Sequence, residues 1–141
     1  MRYLAVDYGT VRIGLALSDA SGLLARPFRI IKHIARQADA EQLAQIVQEI
    51  GAECLVIGLP MDEKGELSER ARSIQRFGSV LAELTVAPII YWDESLSSQD
   101  AEQLLAQQRK KRQYIDDVAA AVILQGYLDY QNPTNSYSTE P

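Results

Sequence analysis

The feature that most constrains the fold is a change of period along the chain. Over the first 32 residues, short apolar runs alternate with turn residues. Residues 2–7 (RYLAVD) rise into a strand-like run, Tyr8-Gly9-Thr10 is turn chemistry, and residues 12–18 (RIGLALS) are strand-like again. Gly22 then punctuates the chain before residues 25–32 (ARPFRIIK). Three short strands with tight turns predict an antiparallel meander. Beyond them the spacing becomes helical. Leu43, Ile46, Val47 and Ile50 fall at i, i+3, i+4 and i+7, an amphipathic helix stopped by Gly51. Residues 54–57 (CLVI) form a buried strand running into Gly58-Leu59-Pro60, and residues 88–92 (PIIYW) form another. Between them Ile74, Phe77, Gly78, Leu81 and Leu84 repeat the helical spacing. Ser97, with Asp100 three residues on, is a helix start. The last helix spans about 115–130 and is apolar almost all round through residues 119–124, which predicts burial. The order βββ-α-β-α-β-α-α makes the later strands parallel and the opening ones antiparallel. The expectation is an α/β chain: a mixed five-stranded sheet flanked by helices.

At 141 residues and 47% hydrophobic, the chain has the size and apolar content of one domain. That domain is expected over residues 1–130, with a flexible polar tail at 131–141 (QNPTNSYSTEP). No apolar run approaches the roughly 18 residues of a membrane span. The opening apolar stretch meets Asp7 too early for a secretory signal. A cytoplasmic protein without membrane partners is expected. Its one cysteine, Cys54, excludes an intramolecular disulfide and a multi-cysteine zinc site. A formal charge of -5 argues against a general electrostatic coat on nucleic acid, while leaving room for local basic patches.

Ligand sites in α/β sheets gather at the carboxyl ends of strands, where three acidic residues fall. Asp7 ends the first strand, Glu94 follows the strand at 88–92, and Asp116 opens the last helix with Asp117 beside it. A helix N-terminus favours carboxylates, so capping accounts for Asp116 and Asp117 electrostatically. Yet Asp116 shares a face with Ala119, Ala120 and Ile123, a packed setting that a cap does not need. Converging carboxylates repel unless protonated or bridged by a cation. Oxygen ligands without histidine or cysteine select Mg²⁺ or Mn²⁺. Spacing alone leaves two readings open: one metal site, or unrelated surface and capping acids. The Asp-x-Gly-Thr motif at Asp7 is shared by actin-like ATPases, sugar kinases and ribonuclease H-like nucleases. An ATPase of that kind needs two such domains, over about 300 residues.

Six blocks narrow the choice. They are DYGTVRIGLALSD (7–19), ARP (25–27), VIGLP (56–60), RA (70–71), WDESLSS (92–98) and IDDVAAAVILQGYL (115–128). In this order they resemble the YqgF family, also called RuvX: Holliday junction resolvase-like nucleases implicated in maturing the precursor of 16S ribosomal RNA. The resemblance implies a ribonuclease H-like fold in which Asp7, Glu94 and Asp116 are catalytic and bind Mg²⁺ or Mn²⁺ for phosphodiester hydrolysis. It also implies structured RNA (the ribosomal RNA precursor) or branched DNA as substrate, with ribosomal particles as further partners. Ser95 stands where the family carries arginine. Ala119 stands where related junction resolvases carry a fourth carboxylate, with Asp117 nearest. The alternatives are a junction resolvase acting on branched DNA and a non-catalytic nucleic-acid or ribosome-assembly binding module.

Arg109, Lys110, Lys111 and Arg112 form the densest basic run, directly before Asp116, and are the expected contacts to nucleic-acid backbone. Arg26, Arg29, Lys32 and Arg36 make a second stretch with no acid among them, although alternation sends Arg29 and Lys32 to different faces. Gly58-Leu59-Pro60 is expected to shape a loop at the site, and Tyr8 to cover the metal cleft. His33 reads as a surface loop residue rather than a base, and Cys54 and Trp92 as packing.

Overall fold

The computed structural model describes residues 1–61, 64–94 and 116–132. Its elements are β1 (Tyr3–Tyr8), β2 (Arg12–Ser18), β3 (Ala25–Lys32), α1 (Arg36–Ile50), β4 (Cys54–Leu59), α2 (Glu69–Ala82), β5 (Ile89–Asp93) and a last helix, here α3 (Asp116–Gln131). The expected helix start at Ser97, the basic run at Arg109 to Arg112 and the tail from 133 onward lie outside the described residues.

The strands form one sheet in the order β3-β2-β1-β4-β5. β1, β2 and β3 pair antiparallel, while β4 runs parallel to both β1 and β5. The mixed five-stranded sheet expected from the change of period is the one observed. Gly9 makes the first hairpin possible: its N–H bonds the Arg12 carbonyl at 3.0 Å, and a β-carbon there would overlap that same carbonyl. The second turn is tied by Asp19, whose carboxylate accepts from Leu23 N, Leu24 N and the Ser21 hydroxyl. Pro27 is tolerated because β3 is an edge strand, next to a bulge at Leu15/Ala16.

Both faces of the sheet are covered. Leu4, Val6, Tyr8, Leu15, Leu55 and Ile57 face α1 and α2, whose Leu43, Ile46, Ile74, Phe77 and Leu81 complete that layer. Ala5, Ala16, Val56 and Trp92 face α3, which packs Ala120, Ala121, Leu124 and Leu128 onto them. Small residues on both sides let this apolar helix lie close. Burial on two faces explains why every residue of β4 is buried without alternation. Among the described residues no helix is long and apolar enough to cross a membrane.

Several element ends differ from their sequence expectation. β1 continues to Tyr8 and β4 to Leu59, because ladder pairing with β2 and β5 extends to those residues. α2 stops at Ala82, where Glu83 N and Leu84 N bond three residues back to Val80 O and Leu81 O. That tighter turn rotates Leu84 off the apolar stripe and leaves it exposed. Gly51 ends α1 as expected, left-handed at φ 68° with its N–H on the Val47 carbonyl.

Candidate active site at the carboxyl end of the sheet

The parallel strands β1, β4 and β5 all finish at one edge. On that edge, alternation decides which side chains share a face. Ala5 packs toward α3, so Asp7, two residues on, continues the same face at the end of β1. Val56 also packs toward α3, which puts Gly58 on that face, and Gly58 pairs with Trp92 of β5. Glu94 follows two residues after Trp92. A β-carbon on Gly58 would stand 3.1 Å from Glu94 Cγ and 2.6 Å from Ile123 Cδ1 of α3. The glycine is thus the gap between the two carboxylates, floored by α3.

The direction of α3 places Asp116 at the same edge. Near its far end, Gln125 Oε1 accepts from Ala25 N and Gln125 Nε2 donates to Leu23 O at the opposite end of the sheet. Tyr127 there stacks edge-on against Tyr3, at the start of β1. Ile123 touches the Gly58 position, and the helix begins two turns before that, at Asp116. The backbone therefore brings Asp7, Glu94 and the first residue of α3 to one end of the molecule.

The charges of Asp7 and Glu94 interact. Burial and then the negative charge of Asp7 push the Glu94 carboxyl above the usual glutamate range, with Asp93 adding to the rise. The Arg70 guanidinium works the other way. Arg70 sits in the first turn of α2 and donates from Nη2 to the Tyr8 carbonyl at 3.2 Å. α2 itself starts firmly: the Ser68 hydroxyl caps Ala71 N and donates to Pro60 O. Gly58-Leu59-Pro60 is in this way joined to the helix that carries Arg70. A small hollow of about 210 Å³ lies between Asp7, Gly9, Thr10, Arg12 and Arg70.

Among the described residues, no three acidic, histidine or cysteine side chains form a metal-holding group. Asp7 and Glu94 supply two hard oxygen donors whose mutual repulsion a divalent cation would relieve. The donor chemistry fits such an ion.

On the other face of β1 lies an arrangement the motifs do not announce. Tyr8 turns away from Asp7 and stacks on Phe77, with ring centroids 3.9 Å apart and planes at 11°. Its hydroxyl donates to Asp39 Oδ2 at 2.8 Å. Asp39 is fully buried and also accepts from Ile34 N and pairs with His33 Nδ1. Tyr8 thus packs in the core instead of lying over the carboxylates, since its side chain points to the α1–α2 layer. His33 lies in the loop before α1, as expected, but is half-buried there and bonded to a buried acid. A signal existed in the sequence: Asp39 is four residues before Leu43, on the apolar stripe of α1. Cys54 and Trp92 are buried as packing residues.

A family model described as "RuvX: Holliday junction resolvase" matches residues 1–130. A protein of Thermoanaerobacter pseudethanolicus named "Putative pre-16S rRNA nuclease" is 36% identical over 136 residues, 93% of this chain and 98% of its own. One of the same name from Anaeromyxobacter sp. is 41% identical over 133 residues, 92% of this chain and 97% of its own. Among solved structures, Thermus thermophilus RuvC in complex with a Holliday junction substrate superposes with a TM-score of 0.69 at 13% identity, covering 95% of this chain and 96% of that one. The fowlpox virus Holliday junction resolvase gives 0.59 at 13% identity, over 92% and 99% of the two chains. These two share the fold, a ribonuclease H-like mixed sheet flanked by helices. With a family model spanning nearly the whole chain and relatives alike over their full lengths, this chain belongs to the RuvX family.

Proposed function

We propose that this protein is a metal-dependent nuclease that hydrolyses phosphodiester bonds in structured RNA, with the precursor of 16S ribosomal RNA as substrate. The observation that carries the reading is the pairing of Asp7 and Glu94 across Gly58. The Asp7 charge, after burial, raises the cost of ionising Glu94 there, with Arg70 as the nearby counter-charge. Such a pair is poorly suited to structure and well suited to holding a cation.

In this reading Asp7, Glu94 and Asp116 would hold Mg²⁺ or Mn²⁺. A bound divalent ion lowers the pKa of a coordinated water and stabilises charge on the leaving oxygen. The chain's own residues do the rest. Gly58 keeps the space between the carboxylates clear, and α3 closes the site from below. Arg70 holds positive charge beside the carboxylates, where a phosphodiester approaches. Arg109, Lys110, Lys111 and Arg112, directly before α3 in the sequence, would contact substrate backbone, each contact adding to salt sensitivity. The names of the relatives support the substrate class, and the cytoplasm is the setting proposed with it.

The test is a cleavage assay on purified wild type and Asp7→Asn, given a pre-16S fragment and a four-way DNA junction in Mg²⁺, Mn²⁺ or EDTA. Metal-dependent cutting of the RNA by wild type alone is the expected result. Preference for the junction would reassign the substrate to branched DNA. No cutting, with equal binding by both proteins, would replace the nuclease with a ribosome-assembly binding module.

A further inference from the structure

A second cleft opens on the α1–α2 side of the same sheet edge, about 600 Å³ in volume. It is lined by His33, Arg36, Arg70, Ser73 and Arg76, with Glu69 as the one acidic residue among the described residues of its lining. We propose that this cleft seats the phosphodiester backbone of a nucleic-acid strand that continues from the Asp7–Glu94 site, so that the strand crosses the edge of the sheet over Gly9 and Thr10. This rests on the nuclease reading above for the identity of the strand.

Three observations converge. The first is continuity: Gly9, Thr10 and Arg70 line both this cleft and the hollow beside Asp7, so the two form one path. The second is charge. Among the described residues, three arginines line the cleft against a single acidic residue, in a chain whose net charge is -5. A local excess of arginine on an acidic protein is the pattern of a dedicated anion path, and guanidinium forks match phosphate oxygens. Glu69 is exposed and bonds Arg76 at 3.3 Å, an exchangeable pairing that a phosphate can replace.

The third is the construction behind His33. A fully buried carboxylate is costly unless several donors reach it. Asp39 has three: the Tyr8 hydroxyl, Ile34 N and His33 Nδ1. The imidazole is thereby fixed against the fold with Nε2 as its remaining polar atom, on a residue that lines the cleft. The Tyr8 ring is pinned in turn between His33 and Phe77. The same network that holds the end of β1, and with it Asp7, also sets one wall of the cleft.

The test measures binding without cleavage, using a short fluorescent single-stranded RNA and its DNA counterpart in EDTA across a salt series. Arg36→Ala with Arg76→Ala should weaken binding about tenfold or more at moderate salt. The slope of log affinity against log salt should fall by about 1.4, at roughly 0.7 for each phosphate no longer neutralised. RNA and DNA should weaken equally, since the backbone is what is held. Glu69→Gln should do the reverse and tighten binding, an outcome that damage to the fold cannot mimic. Unchanged affinity and slope in the double variant would overturn the proposal. Inorganic phosphate at equal ionic strength should compete only weakly, since one phosphate meets fewer of these arginines than a strand does. Competition as strong, mole for mole, as that of unlabelled strand would assign the cleft to a free anion and also overturn the proposal. The two readings fail separately: a protein that binds through these arginines and cuts nothing keeps the cleft and loses the nuclease, and one that cuts with the double variant binding normally does the opposite.

Discussion

Gly58 and Glu94 meet where β4 and β5 end: a β-carbon on Gly58 would stand 3.1 Å from Glu94 Cγ. The same β-carbon would press to 2.6 Å from Ile123 Cδ1, so the helix and the carboxylate compete for the space that glycine leaves. Gly58→Ala should therefore cost about 1–3 kcal/mol of stability by overpacking. It should also reduce cleavage more than this loss explains, because part of the relief lies in moving Glu94. Thermal melts and cleavage rates on the same preparation check both. Gly51→Ala is the control, since nothing lies within 4 Å of its β-carbon and the φ of 68° costs only local strain.

Glu94 should make the protein less stable as the pH rises. Burial first, and the Asp7 charge second, raise its pKa in the folded state above the unfolded value. The folded state then binds the Glu94 proton more tightly, so stability falls as pH rises from the ordinary glutamate range through the raised folded value. Glu94→Gln removes this penalty. It should melt higher than wild type at neutral pH, and the advantage should vanish on acidification below the ordinary glutamate range. Mg²⁺ should raise the melting temperature of wild type and not of Glu94→Gln. A Glu94→Gln protein no more stable than wild type at neutral pH would contradict the electrostatic account.

The sheet was legible in the sequence because its two halves obey different periods. The alternation at residues 12–18 and the helical spacing from Leu43 to Ile50 each have one physical reading, and the strand directions follow; the order β3-β2-β1-β4-β5 came only with the fold. Asp7 and Glu94 were legible as well, since a carboxylate just past an apolar run sits at a strand end whatever the tertiary contacts. Asp39 was not. An acid in the first turn of a helix is expected from the dipole alone. Only the fold shows that its partners come from β1 and the loop before α1. Gly58 is a similar case: a glycine before Leu-Pro reads as a turn, and the space it leaves matters only once α3 returns across the sheet. Arg70 stood inside a recognised block without a role, because its effect on Glu94 acts between α2 and the end of β5.

The Asp39 network predicts an unequal pair of variants. Asp39→Ala takes the acceptor from three donors, the buried Tyr8 hydroxyl among them, and should cost about 3 kcal/mol, the upper range for hydrogen bonds to a charged group. Tyr8→Phe keeps the stacking on Phe77 and removes one donor, so it should cost only about 1–2 kcal/mol. Urea midpoints with an unchanged slope would establish both values. Equal losses in the two variants would mean that the tyrosine ring, and not the carboxylate, organises this corner.

Arg70 links stability, titration and catalysis at one position. Its positive charge is the influence that holds the Glu94 pKa down against burial and Asp7. Removing it should let that pKa rise further, so a larger share of Glu94 stays protonated at any given acidic pH. If the ionised carboxylate is the working form, the acid limb of the kcat/KM profile must move to higher pH in Arg70→Gln. Arg70→Lys keeps a charge and should return the limb most of the way toward wild type, while losing the fork that reaches the Tyr8 carbonyl. Arg70→Gln should also weaken strand binding, because Arg70 borders both the hollow beside Asp7 and the cleft beyond it. A drop in rate that is uniform across pH would assign Arg70 to substrate binding alone and remove it from the control of Glu94.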